Sequence, residues 1–306
     1  MRKVPKARTR QLGPVVGLAT VLLLGGCALP DGVDGDLTGG WSAMPEPVVF
    51  QPDPATCHQE HFSHNGPMSG YRPVPCERHH MVETVHVGAF VDEAADRVTP
   101  PPAGSPEMRE AYGACEAAAA EYLGADFRYG PLWLGVVRPS RYAWEGGARW
   151  FRCDVGMTSQ PNGGGGLVGH DEGSLRGALA DGSELALGCF RRDDDDDGTG
   201  EMVPVDCDEP HSVEFAGVWT APDTSYPADD EDGTDRIHRA CRSVVAEYVG
   251  VPDDANMQYR TGTIFIPMGE SDWQAGDRGF RCFLWLSDHE LTESLAGAGE
   301  SGMPIR

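Results

Sequence analysis

Residues 206–221 read DCDEPHSVEFAGVWTA, and residues 75–90 read PCERHHMVETVHVGAF. Both carry Cys-x-x-x-His-x-x-Glu at the head of a run rich in strand-forming residues. Working outward, ACEAAAAEYLG (114–124) returns as ACRSVVAEYVG (240–250), and WEGGARWFRC (144–153) returns as WQAGDRGFRC (273–282). GSLRGA (173–178) has an echo in ESLAGA (293–298). Four matches in one order mark an internal duplication.

The cysteines follow the repeat. Cys57, Cys76, Cys115 and Cys153 belong to the first copy, and Cys189, Cys207, Cys241 and Cys282 to the second. Their gaps are 19, 39 and 38 residues, then 18, 34 and 41. Eight of the nine cysteines thus form two sets of four, the even number expected of a disulfide framework in an exported chain. The ninth is Cys27.

Cys27 ends a leader. Arg2, Lys3, Lys6, Arg8 and Arg10 precede the apolar run 13–26, GPVVGLATVLLLGG, and no acidic residue occurs before Cys27. That run is shorter than the ~20 residues of a membrane span and has the form of a signal peptide. Leu24-Gly25-Gly26-Cys27 resembles the lipobox, in which the Cys thiol takes a diacylglycerol and the chain is cut before it. We therefore expect a signal peptide over 1–26 and lipidation at Cys27. The protein would be secreted and held to the outer face of the cell membrane. Cutting there removes five basic residues and takes the formal charge from −24 to −29. Such a chain repels nucleic acid and anionic surfaces.

Each copy predicts a mixed α+β unit. Ala111, Cys115, Ala118, Ala119 and Tyr122 recur at helical spacing, as do Ile237, Cys241, Val244, Val245 and Tyr248. Ser105-Pro106 and Thr234-Asp235 are expected helix starts, and Gly124 and Gly250 expected stops. Strands are predicted over 81–90, 131–137 and 149–155, and over 212–220, 262–267 and 279–286. The fold class is thus two tandem copies of a small disulfide-stapled domain, each an antiparallel sheet with one main helix. The divisions are a flexible tether over 27–55, a first repeat over 56–157, a Gly-rich linker over 158–184 and a second repeat over 185–306. Each copy is expected to fold alone.

Four cysteines per copy allow three pairings. We favour a nested order, Cys76–Cys115 and Cys207–Cys241 stapling helix to strand, with Cys57–Cys153 and Cys189–Cys282 closing each copy. The sequential order stays open.

The candidate functional turn is His80 with Glu83, and His211 with Glu214. A metal or acid/base role is one reading. Against it, a disulfide-bonded Cys offers no thiolate, and residues three apart on a strand point to opposite faces. The plainer reading is that these residues brace the start of the strand through hydrogen bonds. His58, His61, His64 and His79 suggest metal capture by the first copy alone. The aspartates from Asp193 to Asp197 read as a solvated loop. Trp144 and Trp273 are candidates for ligand stacking, with core packing the commoner use. No G-x-S-x-G, HExxH or phosphate loop occurs.

The segments VDCDEPHSVEFAGVW (205–219) and ACRSVVAEYVG (240–250) and the W-x-x-G-x-R-x-F-R-C pattern ending at Cys153 and Cys282 resemble a family of actinobacterial envelope proteins with a septum formation domain. GSLRGA after the first copy adds to the resemblance. The first copy departs from it where Arg78-His79 stands in place of Glu209-Pro210. The resemblance implies an extracytoplasmic place and a link to cell division, and it implies no catalytic residue, metal or cofactor. The expectation is a non-enzymatic binding or scaffolding module of the envelope. Its partners would be the membrane, through Cys27, and envelope or division proteins. A cell-wall hydrolase using acidic residues is the alternative, with metal binding a third.

Overall fold

The computed structural model describes residues 48–305, apart from 61, 67–70, 172, 194–199, 223–224, 228–230 and 288. Cys27, the leader and the tether up to residue 47 lie outside them, as do His61 and Asp194–Asp197. The first copy runs β1 (Thr56–His58), β2 (Asn65–Gly66), β3 (Pro73–Val74), β4 (Val82–Ala89), α1 (Asp92–Ala95), α2 (Pro106–Leu123), β5 (Leu132–Pro139), α3 (Arg141–Glu145), β6 (Trp150–Thr158) and β7 (Leu167–Val168). The second runs β8 (Cys189–Asp193), β9 (Glu201–Val205), β10 (Val213–Thr220), α4 (Glu231–Val249), β11 (Gly262–Pro267), α5 (Glu270–Ala275), β12 (Gly279–Trp285) and α6 (Gly299–Gly302).

Local chemistry sets the long helices. Ser105 caps α2 through its hydroxyl, which accepts from the Met108 N–H, and Pro106 fills the first turn. Gly124 ends it at φ +96°, a left-handed turn that favours glycine. In the second copy the helix is already formed at Glu231, a turn before the expected Thr234-Asp235 start. Glu231 and Asp232 lie in its first turn, where negative charge suits the helix dipole.

The sheet of the first copy has the order β2-β5-β6-β4-β1-β3, with β7 also on β6; that of the second is β11-β12-β10-β8-β9. All pairs are antiparallel except β2 with β5. The duplication extends to the register. Glu83 faces Cys57 and Val155, and Glu214 faces Cys189 and Leu284. A bulge falls between Thr84 and His86 in β4, and between Phe215 and Gly217 in β10, the same place in each copy. In each copy the long helix covers one face of its sheet. Met108, Ala111, Cys115, Ala119 and Leu123 pack with Leu134, Val136, Cys153 and Val155. Ile237, Cys241, Val245 and Val249 pack with Phe280, Cys282 and Leu284.

The disulfides are Cys57–Cys76, Cys115–Cys153, Cys189–Cys207 and Cys241–Cys282. The pairing is sequential, and the nested order is wrong. The helix cysteine does staple helix to sheet, but to the central strand β6 or β12. Cys57 and Cys76 are joined because β1 pairs with β3, Cys57 opposite Val74.

The stretch 158–184 does more than connect. β7 pairs with β6, His170 bridges to His80, and Leu175 and Leu179 are buried in the first core. Residues 48–55 also make contacts: Ala55 N–H donates to Thr84 O at 2.7 Å, and Phe50 O accepts from the Trp150 indole at 3.0 Å.

Buried charge joins the copies. Arg281 in β12 has no exposed surface. Its guanidinium donates to the carbonyls of Arg128 (2.9 Å), Leu132 (2.7 Å), Gly130 (3.2 Å) and Gly163 (3.2 Å), all from the first copy. Burial lowers its pKa to about 10, so it stays charged at neutral pH. Arg128 reaches the other way, its Nε 3.1 Å from Asp277 Oδ1. Burial opposes that charge, but Asp277, Tyr112, Asp126 and Glu116 outweigh it and hold the pKa well above the ordinary value.

Candidate functional site

The repeated turn builds the same hydrogen-bonded cluster twice. In the first copy the His80 ring sits 2.8 Å from the Arg78 carbonyl through Nδ1 and 3.0 Å from Glu83 Oε1 through Nε2. A carbonyl only accepts, so Nδ1 carries a proton, an assignment made from its partner. Glu83 also takes the Leu175 N–H on Oε1 (2.7 Å), and on Oε2 the Tyr122 hydroxyl (2.8 Å) and the Ser174 hydroxyl (2.9 Å). His80 and Glu83 are 1% and 0% exposed.

The second copy repeats each contact. His211 lies 2.7 Å from the Glu209 carbonyl and 3.1 Å from Glu214 Oε1. Glu214 accepts from Tyr248 (2.6 Å), Ser294 (3.0 Å) and the Leu295 N–H (3.0 Å). Burial, with Glu214 as acceptor, raises the Tyr248 pKa, and burial likewise raises that of Tyr122. Both tyrosines therefore serve as neutral donors.

His and Glu meet, although they were expected on opposite faces of a strand. Regular pairing in β4 begins at Val82 and in β10 at Val213, so each His precedes the strand, on an isolated bridge to His170 or Leu291. The period-two rule does not reach it. The cluster ties three distant segments together: the strand start, the long helix through its Tyr, and the S-L-x-G-A segment. Buried polar groups so fully satisfied rigidify a fold. Reading the turn alone missed the tyrosines and serines. Their signal was present in the repeated AEY and in the echo of GSLRGA by ESLAGA.

Two sets of potential metal donors cluster among the described residues: Cys57, Cys76 and Glu83, and Cys189, His211 and Glu214. The cysteines in both are disulfide-bonded, so neither set offers a thiolate. The histidine-rich part of the first copy is dispersed. His58 is buried, His64 is exposed, and His79 pairs with Asp171 at 2.8 Å. Trp144 and Trp273 are buried at 1% and 6% exposure, each under an arginine, Arg149 at 4.1 Å and Arg278 at 3.8 Å. They pack the ends of the two sheets and are not ligand platforms.

The family model for septum formation matches residues 54–282, from the start of the first copy to Cys282 in β12 of the second. No curated protein and no solved structure matches the chain. With three quarters of its length matched, the chain belongs to the septum formation family.

Proposed function

We propose that this protein is a lipid-anchored, extracytoplasmic binding or scaffolding module of the cell envelope that acts in septum formation without catalysing a reaction. Family membership supplies the link to division and the envelope. The observation that carries the non-enzymatic reading is the state of Glu83 and Glu214. Each carboxyl has four hydrogen-bonding partners and no solvent exposure, so neither is placed to meet a substrate. Attachment rests on the leader and Cys27. No helix among the described residues is long and apolar enough to cross a membrane. The strong negative charge disfavours nucleic acid as a partner.

The test is a Cys27→Ser variant followed by labelled palmitate and cell fractionation. The parent chain should take up label and sediment with membranes, and the variant should do neither in processed form. Unchanged labelling of the variant would refute the anchor. A fluorescent fusion of the parent chain should concentrate at division sites; a uniform envelope signal would refute the septal role.

A further inference from the structure

Each copy has two kinds of disulfide. Cys115–Cys153 and Cys241–Cys282 have no exposed surface and lie in the cores under the long helices. Cys57–Cys76 and Cys189–Cys207 sit at the strand-start turn, where Cys57 and Cys189 are buried but Cys76 and Cys207 are half-buried. Cys207 also borders a cleft of about 480 Å³, beside Gly188, Pro204 and Asp206. A dithiol therefore reaches the outer bridges and not the inner ones.

The outer bridges lie against the buried carboxyls. Glu83 stands opposite Cys57 across β1 and β4, and Glu214 opposite Cys189 across β8 and β10. The sheet register sets these positions, so they persist when the bridge opens. Donor atoms of Cys57, Cys76 and Glu83 lie within 4.8 Å of one another, and so do those of Cys189, His211 and Glu214. His80 Nε2, 3.0 Å from Glu83 Oε1, completes the first set, and Cys207, bonded to Cys189, completes the second. The turn between them changes from Arg78-His79 to Glu209-Pro210, and the four donor types do not.

Two thiolates, an imidazole and a carboxylate make a ligand set for zinc, whose soft sulfurs disfavour calcium and magnesium. Tetrahedral zinc takes sulfur at ~2.3 Å and nitrogen or oxygen at ~2.0–2.2 Å, which puts neighbouring donors about 3.3–3.8 Å apart. His Nε2 and Glu Oε1 stand 3.0 and 3.1 Å apart in the two copies, a few tenths short of that spacing. Each His Nδ1 donates to a backbone carbonyl, Arg78 or Glu209, the support by which ligating imidazoles present Nε2. The Tyr and Ser hydroxyls and the backbone N–H stay on the carboxyl and orient it.

We propose that opening the outer bridges turns each strand-start turn into a zinc site: Cys57, Cys76, His80 and Glu83 in the first copy, and Cys189, Cys207, His211 and Glu214 in the second. A dithiol breaks each S–S bond by exchange, passes two electrons and two protons to the pair of sulfurs, and closes to its own disulfide. Zinc enters where the bridge opens, past the half-buried cysteine, and displaces the two thiol protons. A metal staple then replaces the covalent one. This inference goes beyond the binding-module reading and does not rest on it, on the anchor or on septal localisation.

The test is titration of the full chain with zinc and with cobalt, before and after treatment with a dithiol that is then removed under argon. Alkylation and peptide mapping should find Cys57, Cys76, Cys189 and Cys207 free and the inner bridges intact. The reduced chain should bind two zinc ions, which raise its melting temperature, and the oxidised chain should bind none at these sites. Cobalt in their place should show thiolate-to-cobalt charge-transfer absorption. Cys57→Ser with Cys76→Ser should lower the stoichiometry from two to one, and adding Cys189→Ser with Cys207→Ser should abolish binding. Glu214→Gln, shown by its melt to be folded, should weaken the second site by ~10-fold or more. Fewer than two zinc ions on the reduced, folded chain, cobalt bound without the thiolate band, binding unchanged in the four-serine variant or in folded Glu214→Gln, or outer bridges that open only together with the inner ones would overturn the proposal.

Discussion

Acidification should destabilise this protein through His58, by an amount that its surroundings set. The ring is 2% exposed. Its pKa falls from 6.5 to about 4, chiefly by burial, then by repulsion from Arg152 and a smaller one from His80, while Asp154 opposes them. In the unfolded chain the ring takes up a proton near 6.5; in the native protein it resists until about 4. The unfolded state therefore binds more protons in that window, and stability is lost as pH falls from 6.5 to 4, then levels off. At 1.36 kcal/mol per pKa unit the loss is about 3 kcal/mol. That is a large share of the ~5–15 kcal/mol that holds a typical domain folded. Other groups titrate in the same range, so the assay is a difference. Urea melts of the parent and of His58→Gln are compared at pH 7, 6, 5 and 4. The parent should lose about 3 kcal/mol more than the variant across the series. Parallel pH profiles would refute the claim that the native fold keeps this ring neutral.

Glu83→Ala and Glu214→Ala should each cost ~3–5 kcal/mol in urea unfolding, since each strands a buried His, Tyr, Ser and backbone N–H. The two costs should be similar because the clusters match contact for contact; a loss under ~1 kcal/mol in either would remove the structural role. Arg281→Met should cost about 3 kcal/mol by leaving first-copy carbonyls without a donor, read from the same melts. Non-reducing peptide mapping should recover Cys57 with Cys76 and Cys115 with Cys153. Replacing both Cys241 and Cys282 by Ala should cost about 4 kcal/mol, against ~3 kcal/mol for Cys189 and Cys207, because the loop closed is 41 residues against 18.

What the sequence made legible follows the lengths of its patterns. The three central strands of each copy lie within a residue or so of expectation at most ends, because runs such as FRCFLW show plain alternation. Helix α2 begins and ends at its cap residues. The disulfide order was not legible, because it depends on β1 and β3, which are three and two residues long and too short to carry a period. Alternation with Phe280, Cys282 and Leu284 puts Arg281 on the opposite face of β12. That opposite face is closed by the first copy, however, and no local pattern announces a contact 149 residues away.

His58 shows a different limit. Three histidines within seven residues suggested a metal, yet the structure separates His58 from His64 and ties it to Thr84 and Asp154. Neither of those belongs to a motif. Their meaning comes from the copy-to-copy comparison, in which three phenylalanines stand where His, Thr and Asp do. Duplicated binding modules gain avidity when both copies keep a site. Here the second copy has used that face for packing, with Tyr129 of the first copy set edge-on against Phe215 at 5.3 Å and Arg281 driven into first-copy carbonyls. The copies are therefore unequal partners. The second packs that face with phenylalanines against the first copy, where the first holds His58, Thr84 and Asp154.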